Sequence, residues 1–153
     1  MKKTIPKIIA LILILLVLAI LSKTTHGLVV DPMVPLVNTQ RLLHRVKPLK
    51  ENILLNKSAK NKACDIFEKG YWSHYSPNGK TPWDFMSESG YKHIQAGENL
   101  ARNFDSDDEA MNAFMRSEGH RRNILRVEYT EIGIGRCGNI TVQHFGTPYV
   151  GNK

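Results

Sequence analysis

Glu131-Ile132-Gly133-Ile134 and Ile140-Thr141-Val142-Gln143-His144-Phe145 stand on either side of Gly138-Asn139. Apolar residues recur here at every second position, as a strand requires, and Gly138-Asn139 suits a two-residue hairpin turn. Pairing across that turn puts Ile132, Ile134 and Phe145 on one face and Cys137, Ile140 and Val142 on the other. A sheet with two apolar faces needs cover on both. Helical periodicity elsewhere in the chain supplies it, so the expected architecture is α/β: a single α/β/α sandwich whose small antiparallel sheet is covered by helices on both faces.

Working backwards, Ser106-Asp107-Asp108-Glu109 forms a capping box, and Ala110, Ala113 and Phe114 give the face of a helix that delivers Ser117 and then His120. The acidic run from Asp105 compensates the helix dipole; a calcium loop would need oxygen ligands on alternating positions and a central glycine. Thr81-Pro82-Trp83-Asp84 joins an N-cap, a proline at the first helical position and a carboxylate three residues after the cap, which predicts a short helix reaching Gly90. Leu55, Ala59, Ala63 and Phe67, joined by Ile66, predict a longer helix capped by Gly70. Leu36, Gln40, Leu43 and Val46 predict another, ended by Pro48, after an extended lead-in from Leu28 to Pro35.

Ahead of these lies an uninterrupted apolar block, Ile8 to Leu21, behind Lys2, Lys3 and Lys7, the pattern of an export leader. Fourteen helical residues reach about 21 Å, short of the roughly 30 Å hydrocarbon core, so a full span would have to recruit Ile5 and Ser22. The expected organisation is therefore a signal peptide or N-terminal membrane anchor over 1–27, a linker over 28–35 and one domain over 36–150, facing the exterior. Any membrane contact is expected through the N-terminal segment alone. Setting aside the three leader lysines lowers the formal charge from +7 to +4, and no basic run interleaves with aromatics, which excludes nucleic-acid binding. In an exported chain the two cysteines, Cys64 and Cys137, form a disulfide or else remain as two buried thiols.

Three segments present titratable groups among turn formers: Trp72-Ser73-His74-Tyr75-Ser76-Pro77, Gly97-Glu98-Asn99-Leu100, and Ser117-Glu118-Gly119-His120-Arg121-Arg122. Histidine titrates near physiological pH and ligates metals, so His74 and His120 are candidate ligands or acid–base groups, with Glu98 beside them. His144, sharing its strand with Gln143, reads as a strand residue near a cleft rim. No Ser, Cys or Thr nucleophile sits in a recognisable elbow and no H-E-x-x-H occurs, so a hydrolase would need a metal-bound water with Glu98 as base.

In order along the chain come Asn38 with Arg41, Pro48-Leu49, Ala59 and Ala63, His74 with Ser76-Pro77 and Gly79, and Gly90-Tyr91. Gly97-Glu98-Asn99-Leu100-Ala101, Ser117 with Gly119-His120-Arg121 and Asn123-Ile124-Leu125, and Glu131-Ile132-Gly133-Ile134-Gly135 follow. Over about Val37 to Gly146 this series resembles the CAP superfamily (cysteine-rich secretory proteins, antigen 5, pathogenesis-related 1) in its short bacterial SCP-domain form. The resemblance implies a cleft with two histidines and up to two glutamates that binds a small ligand, a lipid or a divalent metal more than it catalyses. Carried over, the cleft residues are His74, Glu98 and His120. Ser117 stands where eukaryotic members have the second glutamate, with Glu118 beside it as a further cleft candidate. With His74 and His120 as the metal ligands, the resemblance implies a weakly bound divalent metal such as zinc. The expected partner is a small molecule, lipid or extracellular polymer. The alternative is a metal-dependent hydrolase of peptide, lipid or cell-wall material.

Overall fold

The structure is a computed structural model and describes residues 30–151. The leader and its membrane role lie outside them, and no helix among the described residues is long and apolar enough to cross a membrane. In chain order the elements are α1 (Met33–Leu43), β1 (Lys50–Glu51), α2 (Ile53–Lys69), α3 (Pro82–Glu88), β2 (His93–Arg102), α4 (Asp107–Arg116), α5 (Glu118–Leu125), β3 (Glu131–Cys137) and β4 (Ile140–Pro148).

The hairpin forms as its alternation predicts, with Cys137 opposite Ile140 and Ile132 opposite Phe145. The four strands run in the order β1-β3-β4-β2, so β2 is an edge and lies antiparallel to β4. The short β1 pairs parallel with β3, the one departure from an antiparallel sheet. Ile132, Ile134 and Phe145 pack with Met33, Val37, Phe114 and Ile124, which come from α1, α4 and α5. Ile140 and Val142 face the opposite way, onto Ala59, Ala63 and Ile66 of α2. The sheet thus has a helical layer on each side.

Gly133 and Gly135 let α2 lie directly on β3. A Cβ at Gly133 would meet the Leu55 carbonyl carbon at 2.1 Å, and one at Gly135 the Lys60 amide nitrogen at 2.0 Å. Cys64 of α2 and Cys137 of β3, with Cα atoms 4.9 Å apart, close this contact with a disulfide.

Local signals place the helix ends. Asn52 caps α2, its Oδ1 accepting from the Leu54 amide at 2.8 Å, and Gly70 ends it at φ +67°. Thr81 and Asp84 form the reciprocal box that starts α3, which ends at Glu88. Ser106 caps α4, but its helix does not run on to His120. Ser117 is extended and α5 begins afresh at Glu118.

The helical stripes also depart from expectation. α1 starts at Met33, where the Asp31 Oδ1 accepts the Met33 amide at 3.0 Å, so the extended lead-in stops before Pro35. Its buried stripe is Met33, Val34, Val37 and Arg41, while Leu43 is exposed and Val46 lies beyond the helix. The pattern misleads because a cation takes a core position. Arg41 is wholly buried, donating to the carbonyls of Lys47 at 2.6 Å, Ile124 at 2.7 Å, Arg126 at 2.9 Å and Tyr129 at 3.3 Å. On α2, likewise, Phe67 is half exposed, and Ser58 and Lys62 fill buried positions beside Leu55, Ala59, Ala63 and Ile66.

Candidate functional site

Gly97, Glu98 and Asn99 lie in the middle of β2 rather than in a turn, and alternation along the strand gives them different tasks. Gly97 leaves room for Tyr129, whose hydroxyl would lie 2.4 Å from an added Cβ. Asn99 turns toward α5: its Nδ2 donates to the His120 carbonyl at 3.2 Å and to Gln143 Oε1 at 3.0 Å, and its Oδ1 accepts from Asn123 at 2.9 Å. Glu98 turns toward α2 and is almost fully buried, at 5% exposure.

Both Glu98 carboxylate oxygens are taken. Oε1 lies 2.6 Å from His74 Nδ1, and Oε2 lies 2.9 Å from Nε2 of the wholly buried His144. A carboxylate only accepts, so both ring nitrogens facing it carry protons. The far nitrogen of His144, Nδ1, then accepts from the Ser58 hydroxyl at 2.8 Å. A hydrogen-bonded chain runs Ser58–His144–Glu98–His74, from the interior to a half-exposed imidazole. Burial alone would raise the Glu98 carboxyl. Hydrogen bonds from His144 and His74 and the nearby charge of Lys62 outweigh it, and the group lies below the usual range.

Lys62 also holds the segment that carries His74. Its buried Nζ donates to the His74 carbonyl at 2.8 Å, the Ser73 carbonyl at 3.2 Å and the Tyr71 hydroxyl at 3.0 Å. Burial lowers its pKa, an effect that Glu98 and Asp65 partly oppose. Asp65 ties the same segment through Tyr71 at 2.5 Å and Ser76 at 2.6 Å. Burial would raise its carboxyl, but hydrogen bonds from Lys69, Ser76 and Tyr71 win and hold it at about 2.

The predicted residues take different places, with His120 near enough to His74 to feel its charge. His74 and Glu98 are brought together in a cleft of about 340 Å³ whose walls include Tyr75, Trp83, Asn123, Arg126 and Tyr129. His120 is not among the residues lining it. It stands half-buried on α5, edge-on to Phe114 at 5.2 Å, and is lowered in pKa by burial first and by the charge of His74 second. Glu118 is not brought in. Its side chain is 80% exposed in the first turn of α5 and pairs with Arg122 at 3.3 Å, because neighbours on a helix diverge by a large angle.

His144, Ser58 and Lys62 belong to the site although the sequence did not single them out for it. Parity carried a signal for His144, which follows Ile140 and Val142 on the face toward α2. Among the described residues, the set of three metal-type ligands with atoms within 4.8 Å of one another is Cys64, Glu68 and Cys137, two of which are spent in the disulfide.

This α/β/α sandwich, whose edge strand carries a glutamate held between two histidines, has the architecture of SCP-domain proteins. The chain belongs to the cysteine-rich secretory protein family (CAP), whose profile matches residues 34–145. Among its relatives is the Bacillus subtilis "Uncharacterized protein YkwD", 40% identical over 114 residues, covering 73% of this chain and 44% of that protein. The B. subtilis "Uncharacterized membrane protein YlbC" is 31% identical over 110 residues, covering 72% of this chain and 32% of that one. This chain therefore spans less than half the length of either. Among solved structures, an extracellular SCP-domain protein from Bacillus anthracis superposes with TM-score 0.73 at 28% identity, over 74% of this chain and 38% of that one. An outer surface protein from Borrelia burgdorferi gives 0.71 at 21%, over 76% and 90%, a likeness of fold alone.

Proposed function

We propose that the domain works outside the cytoplasm as a binding module whose cleft takes a small ligand or lipid, and that it is not an enzyme. The observation that carries this reading is the engagement of both Glu98 oxygens by histidines. A hydrolase would need that carboxylate turned to a water in the cleft, whereas Glu98 is buried with His74 and His144 each holding one of its oxygens. A cleft of about 340 Å³ falls within the range of ligand pockets. The disulfide and the extracellular character of the Bacillus anthracis neighbour support an exterior location.

The donor set also fits a weakly held divalent metal such as zinc. With its Nδ1 proton on Glu98, His74 presents Nε2 as a lone pair, the arrangement in which a carboxylate orients a metal-binding histidine. His120 would be the second ligand, its lowered pKa favouring the neutral form that ligates. Bound there, the ion would supply an electrophile for a ligand oxygen. Two protein ligands make such binding reversible. Calorimetric titration with zinc at about pH 7.5 and about pH 5.5 tests it. Heat should appear at the higher pH in the wild type and vanish in His74→Ala and His120→Ala, and equal binding in all cases would overturn the metal assignment. Small-ligand binding in the cleft is tested separately, by saturable shifts of the Gly97 and Trp83 signals when a mixed lipid and metabolite extract is added.

A further inference from the structure

We propose that the cleft recognises a carboxylate-bearing ligand with an apolar or ring-shaped body, the anion meeting Arg126 and the body lying on Trp83 and Tyr75. This rests on the reading of the cleft as a binding site. The acceptors of the cleft are largely spent inside the protein. Glu98 gives its oxygens to His74 and His144, and the backbone carbonyls of Ala96 and Glu98 accept from the Tyr129 hydroxyl at 2.7 Å and from Asn123 at 3.0 Å. Donors remain. In an antiparallel strand one residue's N–H and C=O point the same way, so the amides of Ala96 and Glu98 share the outer edge of β2, where no strand pairs among the described residues.

Arg126 adds a guanidinium whose ionic partner among the described residues is Glu128, reached through Nε at 3.4 Å. Both side chains are nearly half exposed, so this pair is weak and easily exchanged for a ligand. A guanidinium matches the two oxygens of a carboxylate with a planar fork. Its backbone is held in advance, because buried Arg41 donates to the carbonyls of Arg126 and Tyr129 on the same wall. Trp83 and Tyr75, 40% and 61% exposed, offer flat apolar surface beside it. A carboxylate of this kind comes from a peptide C-terminus or from an acidic sugar.

The test is an NMR titration of the full chain with four probes: N-acetylphenylalanine, its neutral amide, glucuronic acid and glucose. The acid of at least one pair should shift Gly97 and Trp83 and bind roughly tenfold or more tightly than its neutral partner. Response to the first pair identifies a peptide terminus, and response to the second an acidic sugar. Arg126→Gln, with an unchanged melting temperature, should lose the preference for the acid, and Trp83→Ala should weaken both members of the pair. Equal binding of acid and neutral forms, or an acid preference that survives in Arg126→Gln, overturns the anion assignment and leaves the cleft a binding site. Silence from all four probes also overturns it, while the broader cleft reading stands or falls on the extract experiment.

Discussion

Between the sheet and helices α1, α4 and α5, a continuous apolar cluster runs from Met33 and Val37 through Phe114 and Ile124 to Ile132, Ile134 and Phe145. Between the sheet and α2 with α3 the apolar residues form two smaller groups. One is built on Ala59, Ala63, Ile66, Leu100, Ile140 and Val142, the other on Leu55, Met86 and Tyr91. Phe85 is buried there as well, and beside these apolar residues stand the buried polar ones, Ser58, Lys62, Glu98 and His144. The first layer gains most from hydrophobic burial, and its one buried cation, Arg41, stitches loop carbonyls together rather than serving the cleft directly. The second layer holds the imidazole–carboxylate chain that reaches the cleft, and it is also the layer crossed by the disulfide. A covalent link thus stands where apolar burial is thinnest.

Breaking the first layer should have the largest effect. Arg41→Met leaves four backbone carbonyls without their donor in the interior and should cost about 3–5 kcal/mol, enough to unfold a marginal domain. Urea denaturation checks this, and a loss below about 1 kcal/mol would mean that water replaces the guanidinium freely.

Reduction tests the second layer. The disulfide joins residues separated by 73 positions, so opening it should remove about 4 kcal/mol on the loop-entropy account. Calorimetry with and without a dithiol reads the difference, with Cys64→Ala/Cys137→Ala as the reagent-free counterpart. Unchanged melting would show that the polar layer needs no staple and that the contrast drawn above is wrong.

His144→Leu sharpens the contrast by making the second layer more like the first. It leaves Glu98 with His74 alone, and the buried charge loses a partner, at a cost of about 2–4 kcal/mol. Adding Glu98→Gln should recover part of that, because a neutral amide tolerates burial better than a half-paired carboxylate. If the double variant is no more stable than the single one, the charge of Glu98 was not what made His144 necessary.

The contrast also explains what the sequence could disclose. The hairpin and the start of α3 were legible because apolar alternation, the Gly138-Asn139 turn and the Thr81–Asp84 box are local signals with one physical meaning. The family pattern reached His74 and Glu98, and the structure joins them at 2.6 Å. Strand β2 was hidden because its central Gly97-Glu98-Asn99 is polar and looks like a turn until His144 and α5 supply the partners. Lys62 and Arg41 were hidden for a related reason: hydrophobic periodicity has no symbol for a cation whose neighbours are distant carbonyls. The break at Ser117, with no capping hydrogen bond from its side chain, left no mark on the helical pattern either.

The smallest expected effect is at His120, whose carbonyl accepts from the Asn99 side chain. Burial, and then the charge of His74, lower its pKa from the ordinary 6.5. Above that value the imidazole is neutral in both folded and unfolded chains and pH has no leverage. As pH falls through it, the unfolded chain takes up the proton first, so the fold loses stability, and the loss continues until the folded-state pKa is passed. Glu98 and Asp65 have lowered pKa values too, but as acids: their contribution is present above their ordinary values of 4.5 and 3.8 and disappears only in more acidic solution. The windows are therefore separable. Melting temperature measured between about pH 7.5 and pH 5 should fall more steeply for the wild type than for His120→Gln, whose amide takes up no proton. Parallel curves would mean that His120 titrates as a solvated histidine and that its burial against Phe114 does not hold in solution.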